Sequence, residues 1–212
     1  MANKNIPTGT IFLFSLFILV MVITYVLVKP SPPPSELIGV LRPDFRALHP
    51  FELTDHNDTV FDERRFQGKW SFVFFGYTSC PDICPTTLHV LNSVYGQLED
   101  EASGDENDTQ IIFISVDPKR DTTKKLADYM SYFNKKFIGV TSDKKNIDKI
   151  VKQFGAGYGF EPETTPGEYL VAHTSAIFLV DPYGRLIATF SQPHYPATIN
   201  SLYERIRTYF SQ

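Results

Sequence analysis

The 212-residue sequence has only two cysteines. That excludes a four-cysteine zinc or iron–sulfur site within one chain, and it excludes a multi-bridge framework of the small secreted kind. One disulfide, one redox couple, or two ligands of a metal completed from elsewhere remain. A basic face is lacking too. Lys and Arg number 20 against 24 Asp and Glu, a formal net charge of -4, which argues against nucleic-acid binding. No G-x-G-x-x-G or G-x-x-x-x-G-K-[ST] run is present to cradle phosphate, and no C-x-x-C-H to attach haem. With 42% hydrophobic and 21% charged residues, the composition is that of a globular chain. The length supports one ordinary domain plus an appendage.

The appendage is where charge is scarcest. Lys4 and Lys29 are the only charged side chains before Glu36, and Thr10 to Val28 is a nineteen-residue uncharged run rich in Ile, Leu, Phe and Val. As a helix it would measure roughly 28 Å, close to the thickness of a bilayer core. A cleaved signal peptide has a shorter apolar run and a small-residue cleavage site, and a core helix would be amphipathic. The run therefore predicts a single uncleaved transmembrane anchor over residues 10–28. Residues 1–9 form a short cytoplasmic N-terminus, 29–39 a spacer stiffened by Pro30, Pro32, Pro33 and Pro34, and 40–212 the globular domain. Setting Lys4 and Lys29 aside leaves 18 basic and 24 acidic side chains, so that domain carries -6. The short stretch ahead of the span would hold no transit peptide, so the expected setting is a bacterial inner membrane with the domain in the periplasm.

Periodicity divides the domain. Phe51–Asp55 and Thr59–Phe61, joined by His56-Asn57-Asp58, predict a hairpin. Trp70–Phe75 and Ile111–Val116 are apolar on both faces, as central strands covered by helices are. Helical spacing runs through Thr86–Leu98, Thr122–Phe133, Asn146–Phe154 and Ala197–Phe210. Gly155–Gly167, with four glycines and two prolines, reads as a loop. Ala176–Val180 and Leu186–Phe190 flank Asp181-Pro182-Tyr183-Gly184-Arg185, a second hairpin. The alternation predicts an α/β fold with a largely parallel sheet covered on both sides, and the final hairpin as an antiparallel edge.

The chemistry sits in Phe75-Gly76-Tyr77-Thr78-Ser79-Cys80-Pro81-Asp82-Ile83-Cys84-Pro85-Thr86, which joins a buried strand to a helix. Cys80 falls at or just before the helix N-terminus, and Cys84 one turn later on the same face. Helix N-termini lower thiol pKa, so Cys80 is expected to be partly thiolate near neutrality. Residues four apart on a helix have Cβ atoms about 5–6 Å apart, whereas a disulfide needs roughly 3.5–4.5 Å. C-x-x-x-C thus suits chelation at least as well as dithiol cycling. An inert bridge would close only a short loop and stabilise weakly.

Two thiolates need a third ligand. His49, His56, His89, His173 and His194 are the candidates. His89 lies about 140° round the helix from Cys84 and points elsewhere. His56 sits in a turn, His49 precedes the first strand and His194 lies in a proline-flanked loop. His173 stands just before a buried strand whose start can face the cysteine turn. A satisfied buried histidine is the competing explanation, and spacing leaves the choice open.

The Cys80-Pro81-Asp82-Ile83-Cys84-Pro85 turn after an aromatic strand resembles the Sco/SenC family of thioredoxin-like, membrane-anchored copper proteins. So do Ser115-Val116-Asp117-Pro118-Lys119-Arg120-Asp121-Thr122 and His173-Thr174-Ser175 before Leu179-Val180-Asp181-Pro182-Tyr183-Gly184. The similarity runs from about residue 40 to 210. It implies a thioredoxin-like central sheet flanked by helices, binding one copper, Cu(I) or Cu(II), through Cys80, Cys84 and His173. It also implies a role in assembling the dicopper site of cytochrome c oxidase, by delivering copper or by reducing that site's cysteines. The implied partners are the oxidase's copper-carrying subunit, other copper carriers and thiol reductants. Two soft thiolates favour Cu(I), and imidazole admits Cu(II). Ala172 departs from the acidic residue that many relatives carry before the histidine.

The same cysteines admit other functions, of which the first is compatible with copper delivery and the peroxidase fits least. A thiol–disulfide oxidoreductase or periplasmic redox sensor would use Cys80 and Cys84 as its redox couple. A peroxidase of the peroxiredoxin kind needs Pro in P-x-x-x-[ST]-x-x-C, where Val73 and Tyr77 stand. Asp82 reads as a helix-dipole partner and Asp117 as a strand-end turn residue. The N-x-[ST] triplets at Asn57 and Asn107 carry little weight.

Overall fold

The computed structural model describes residues 8–28, 32–101, 108–163 and 165–211. Residues 1–9 and the 29–39 spacer therefore lie partly outside the described residues, as does the Asn107 triplet. The chain divides into two units, Met1–Pro34 and Ser35–Gln212.

In the first unit, Thr8–Val28 forms helix α1. Phe12 to Thr24 are exposed. Among the described residues no helix is long and apolar enough to cross a membrane.

The second unit is built on β4 (Trp70–Gly76), whose seven residues are all buried. Its parallel neighbour β5 (Thr109–Ser115) is equally buried, and β6 (Ile138–Thr141) extends the parallel run. The other strands are β1 (Leu41–Ala47), β2 (Glu52–Asp55), β3 (Val60–Asp62), β9 (Ile177–Val180) and β10 (Arg185–Phe190). Together they make one eight-stranded sheet in the order β1-β10-β9-β4-β5-β6-β2-β3. The hairpin β2–β3 occurs as the sequence predicts. Two expectations are corrected. The sheet is mixed, because only β4–β5 and β5–β6 pair in parallel. The β9–β10 hairpin is not an edge: β9 pairs directly with β4, and β1 covers β10. The physical reason is that β9 is buried throughout and needs neighbours on both sides. Exposed β1, with Pro43 and the charges of Arg42, Asp44 and Arg46, is suited to an edge.

Side-chain alternation along β4 separates the two faces. Phe72 meets Tyr203 of α5 (Pro196–Phe210) at 5.2 Å between ring centroids, and Phe74 meets Phe113 at 6.1 Å. Phe113 in turn meets Tyr129 of α3 (Thr123–Phe133). This face is covered by α2 (Ile83–Glu101), α3 and α5. Phe75 points the other way, onto Phe154 of α4 (Lys144–Phe154), at 5.3 Å. Helix starts differ from expectation where a cap decides them. Thr122 and Asp143 accept N–H groups from Lys125 and Asn146, which fixes the starts of α3 and α4. Helix α2 begins three residues before the apolar periodicity does.

Within the glycine-rich stretch expected to be all loop, Tyr158–Phe160 forms β7, paired antiparallel with β8 (Val171–His173). The glycines hide this short ribbon because its partner lies beyond the loop.

Candidate metal centre

Strands β4 and β5 run parallel, so their C-terminal ends open onto the same edge of the sheet. The turn after β4 carries the cysteines. The Cys80 N–H donates to the Tyr77 carbonyl at 3.2 Å, which closes a tight turn ahead of α2. Cys80 therefore lies outside the helix, and only Cys84, its second residue, is helical. The expected single helical face for both thiols gives way to a turn that brings Cys80 back over the helix start. Pro85 costs little there, because first-turn N–H groups have no helical acceptor.

The seat of Cys84 depends on Gly76. A Cβ on Gly76 would lie 2.7 Å from Cys84 Sγ and 2.7 Å from a Phe113 ring carbon. Cys84 is fully buried and Cys80 half-buried. Neither forms a disulfide.

His173 ends β8 and reaches the same point. Its Nε2 lies 3.3 Å from Cys84 Sγ, and its Nδ1 lies 3.1 Å from the Thr174 carbonyl. A carbonyl only accepts, so Nδ1 carries a proton, and Nε2 is the ring nitrogen that faces the thiols. Phe74 and Tyr77 meet the imidazole edge-on, each at 5.9 Å. Ala172 is exposed, and the imidazole is held by that carbonyl and those rings.

The donor atoms of Cys80, Cys84 and His173 all lie within 4.8 Å of one another. Two metal–thiolate bonds of roughly 2.3 Å can span up to about 4.6 Å, so the set fits one metal ion. Two sulfurs and one imidazole match copper in either oxidation state. The hydrogen bond from Cys84 holds the Cys80 thiol well below the ordinary range, against its partial burial. His173 and the N–H groups of Asp82 and Cys84 add to the effect. The same shared hydrogen, together with burial, pushes Cys84 up. The pair thus holds one thiolate and one proton.

The other histidines stay apart. His56 Nδ1 accepts the Gly139 N–H at 2.9 Å in the β2–β3 turn. His89 packs on Phe133 at 5.0 Å. His194 Nε2 donates to the Ser175 carbonyl at 2.9 Å. His49 is exposed, its backbone paired with Gln153.

Sequence reasoning used the loop after β5 as a family motif but read Asp117 as a turn residue and gave Asp121 no role. Asp117 and Asp121 are fully buried. Asp121 accepts the Thr78 N–H at 2.9 Å and the Thr78 and Ser115 hydroxyls at 2.5 and 2.6 Å. Asp117 pairs with Arg120 and accepts the Tyr169 hydroxyl at 2.8 Å. The available signal was a cluster of charge at the end of a strand too buried to leave it solvated.

Comparison with known proteins agrees with this geometry. A family model described as SCO1/SenC matches residues 41–211. A putative copper-binding protein of Stutzerimonas stutzeri is 40% identical over 148 residues, 69% of this chain and 70% of the relative. The copper-bound structure of Bradyrhizobium japonicum ScoI is 32% identical with a TM-score of 0.66, covering 77% of this chain and 99% of that one. Copper-bound Arabidopsis thaliana ScoI gives a TM-score of 0.70 at 28% identity, over 77% and 99%. With a thioredoxin-like sheet and two thiols and an imidazole converging at its edge, this chain belongs to the SCO1/SenC family.

Proposed function

We propose that the protein is a membrane-anchored copper chaperone that assists assembly of the dicopper site of cytochrome c oxidase. The observation that carries this reading is the convergence of Cys80, Cys84 and His173 from two distant segments. Copper is the cargo. Three protein donors leave it open to a further ligand from a partner, which suits handover rather than storage. The oxidase as destination follows from family membership. The anchor rests on the uncharged run from Thr10 to Val28, and its setting in a bacterial inner membrane, with the domain in the periplasm, is part of the same proposal. To test the reading, the reduced 212-residue chain in detergent is titrated with Cu(I), alongside His173→Ala. Tight one-to-one binding that weakens in the variant is expected. No tight binding, or an unaltered variant, sinks it.

The free cysteines also favour a thiol–disulfide oxidoreductase. The Cys80 thiolate would attack a partner disulfide and release one thiolate. Cys84, giving up its proton, would then resolve the mixed disulfide. The partner gains two electrons and two thiols, and the chain keeps a Cys80–Cys84 disulfide. Reduction of an oxidised fragment of the oxidase subunit, lost in Cys80→Ser, is the expected result. An unchanged rate in that variant removes this role.

A further inference from the structure

The donors come from two segments, the 77–84 turn and β8, and one short loop after β5 grips both. On the cysteine side, Asp121 takes the Thr78 N–H and hydroxyl, and Lys125 bridges Asp121 and the Ser79 hydroxyl at 3.4 and 3.2 Å. On the histidine side, the Arg120 guanidinium stacks 3.6 Å over the Tyr169 ring and donates to the Tyr169 carbonyl at 2.9 Å. Asp117 neutralises Arg120 and holds the Tyr169 hydroxyl. Tyr169 stands two residues before β8. The arms are joined through Ser115, whose hydroxyl donates to Asp121 and accepts the Asp117 N–H at 3.1 Å.

We propose that this loop is a two-armed positioning device. Asp117, Arg120 and Tyr169 set the place of the His173 imidazole, and Asp121 with Thr78 sets the place of the thiols. Surface charge pairs contribute little, but these carboxylates are fully buried, and a buried charge is held only by excellent geometry. A planar, stacked and forked guanidinium gives that geometry where a lysine does not. The proposal rests on the reading that the three donors hold the metal.

The test uses the 212-residue chain in detergent, loaded with Cu(II) and read by electron paramagnetic resonance and the sulfur-to-copper absorption band. In Arg120→Lys the imidazole nitrogen coupling weakens, the sulfur band stays, and copper affinity falls about 10- to 100-fold. In Asp121→Asn the sulfur band shifts and the nitrogen coupling stays. Tyr169→Phe, which keeps the stacked ring and loses one hydroxyl, shows the Arg120→Lys signature at smaller amplitude and covers the case of a poorly folding lysine variant. Unchanged coupling and affinity in the histidine-arm variants overturns the proposal. So does the same signature from both arms, which marks general loosening. Wild-type protein without imidazole coupling removes the three-donor reading itself, and the proposal with it.

Discussion

Cys84 and His173 are 89 positions apart in the chain, yet Cys84 Sγ lies 3.3 Å from His173 Nε2. With Cys84 buried and holding the proton, the reactive thiol of the apoprotein is its neighbour. The Cys84 hydrogen bond, opposed by burial and aided by His173 and two N–H groups, brings Cys80 down to about 3. Iodoacetamide at pH 7 is therefore expected to label Cys80 first. From pH 7 to 5 Cys80 stays thiolate, so its rate barely changes, whereas an ordinary cysteine slows by about 100-fold. Peptide mapping after partial labelling reads the site. Labelling at Cys84, or a rate falling tenfold per pH unit, contradicts this.

Gly76→Ala is expected to cost about 1–3 kcal/mol, because the new methyl meets Cys84 Sγ and Phe113 at 2.7 Å. The denaturant midpoint measures the loss. Copper affinity should fall with it, since the methyl occupies the seat of Cys84. A variant as stable as wild type with full affinity shows that the turn yields more easily than the close contacts imply.

The Tyr129 hydroxyl is buried with no hydrogen-bond partner among the described residues. Burial above all pushes its phenol up, so it is neutral at every working pH. Removing an unsatisfied buried hydroxyl relieves a desolvation cost, so Tyr129→Phe should raise the unfolding free energy by about 1 kcal/mol. A loss of comparable size reveals a partner for that hydroxyl.

Asp55 ties the β2–β3 turn. Burial raises its pKa, but the Thr59 hydroxyl, the N–H groups of Thr59 and Asn57, and Arg65 outweigh it and hold the carboxyl below its usual range. A carboxyl depressed in the folded state stabilises fully above its unfolded pKa of about 3.9, and the contribution is lost as pH falls through the folded value. Asp55→Asn should thus cost about 1–3 kcal/mol at pH 7, with the gap to wild type closing below about pH 4. Unfolding curves from pH 7 to 3 decide it. A gap that stays constant with pH contradicts the assignment.

Local pattern accounts for much of what the structure contains. Apolar runs at Trp70–Phe75 and Ile111–Val116 announce central strands because burial on both faces excludes polar residues. The 3.6 spacing of Leu126, Met130 and Phe133 announces α3 because one stripe must be buried. Beads of short strand such as β6, β7 and β8 leave no such trace, since three or four residues hold no period and their pairing comes from distant chain.

By itself the sequence determined the chemistry: two soft thiolates four apart after a buried strand, a separate histidine, and a long uncharged run ahead of an acidic domain. Local spacing carries that information because the residues are neighbours in the chain. Spacing left the histidine open and only the resemblance pointed to His173; tertiary structure brought it to the thiols, put Cys80 outside the helix, inserted β9 beside β4, and made Asp117 and Asp121 buried struts. Those outcomes depend on contacts between segments tens of residues apart. Their energies come from close packing and from satisfying buried polar groups, and neither is written in the order of residues along one segment.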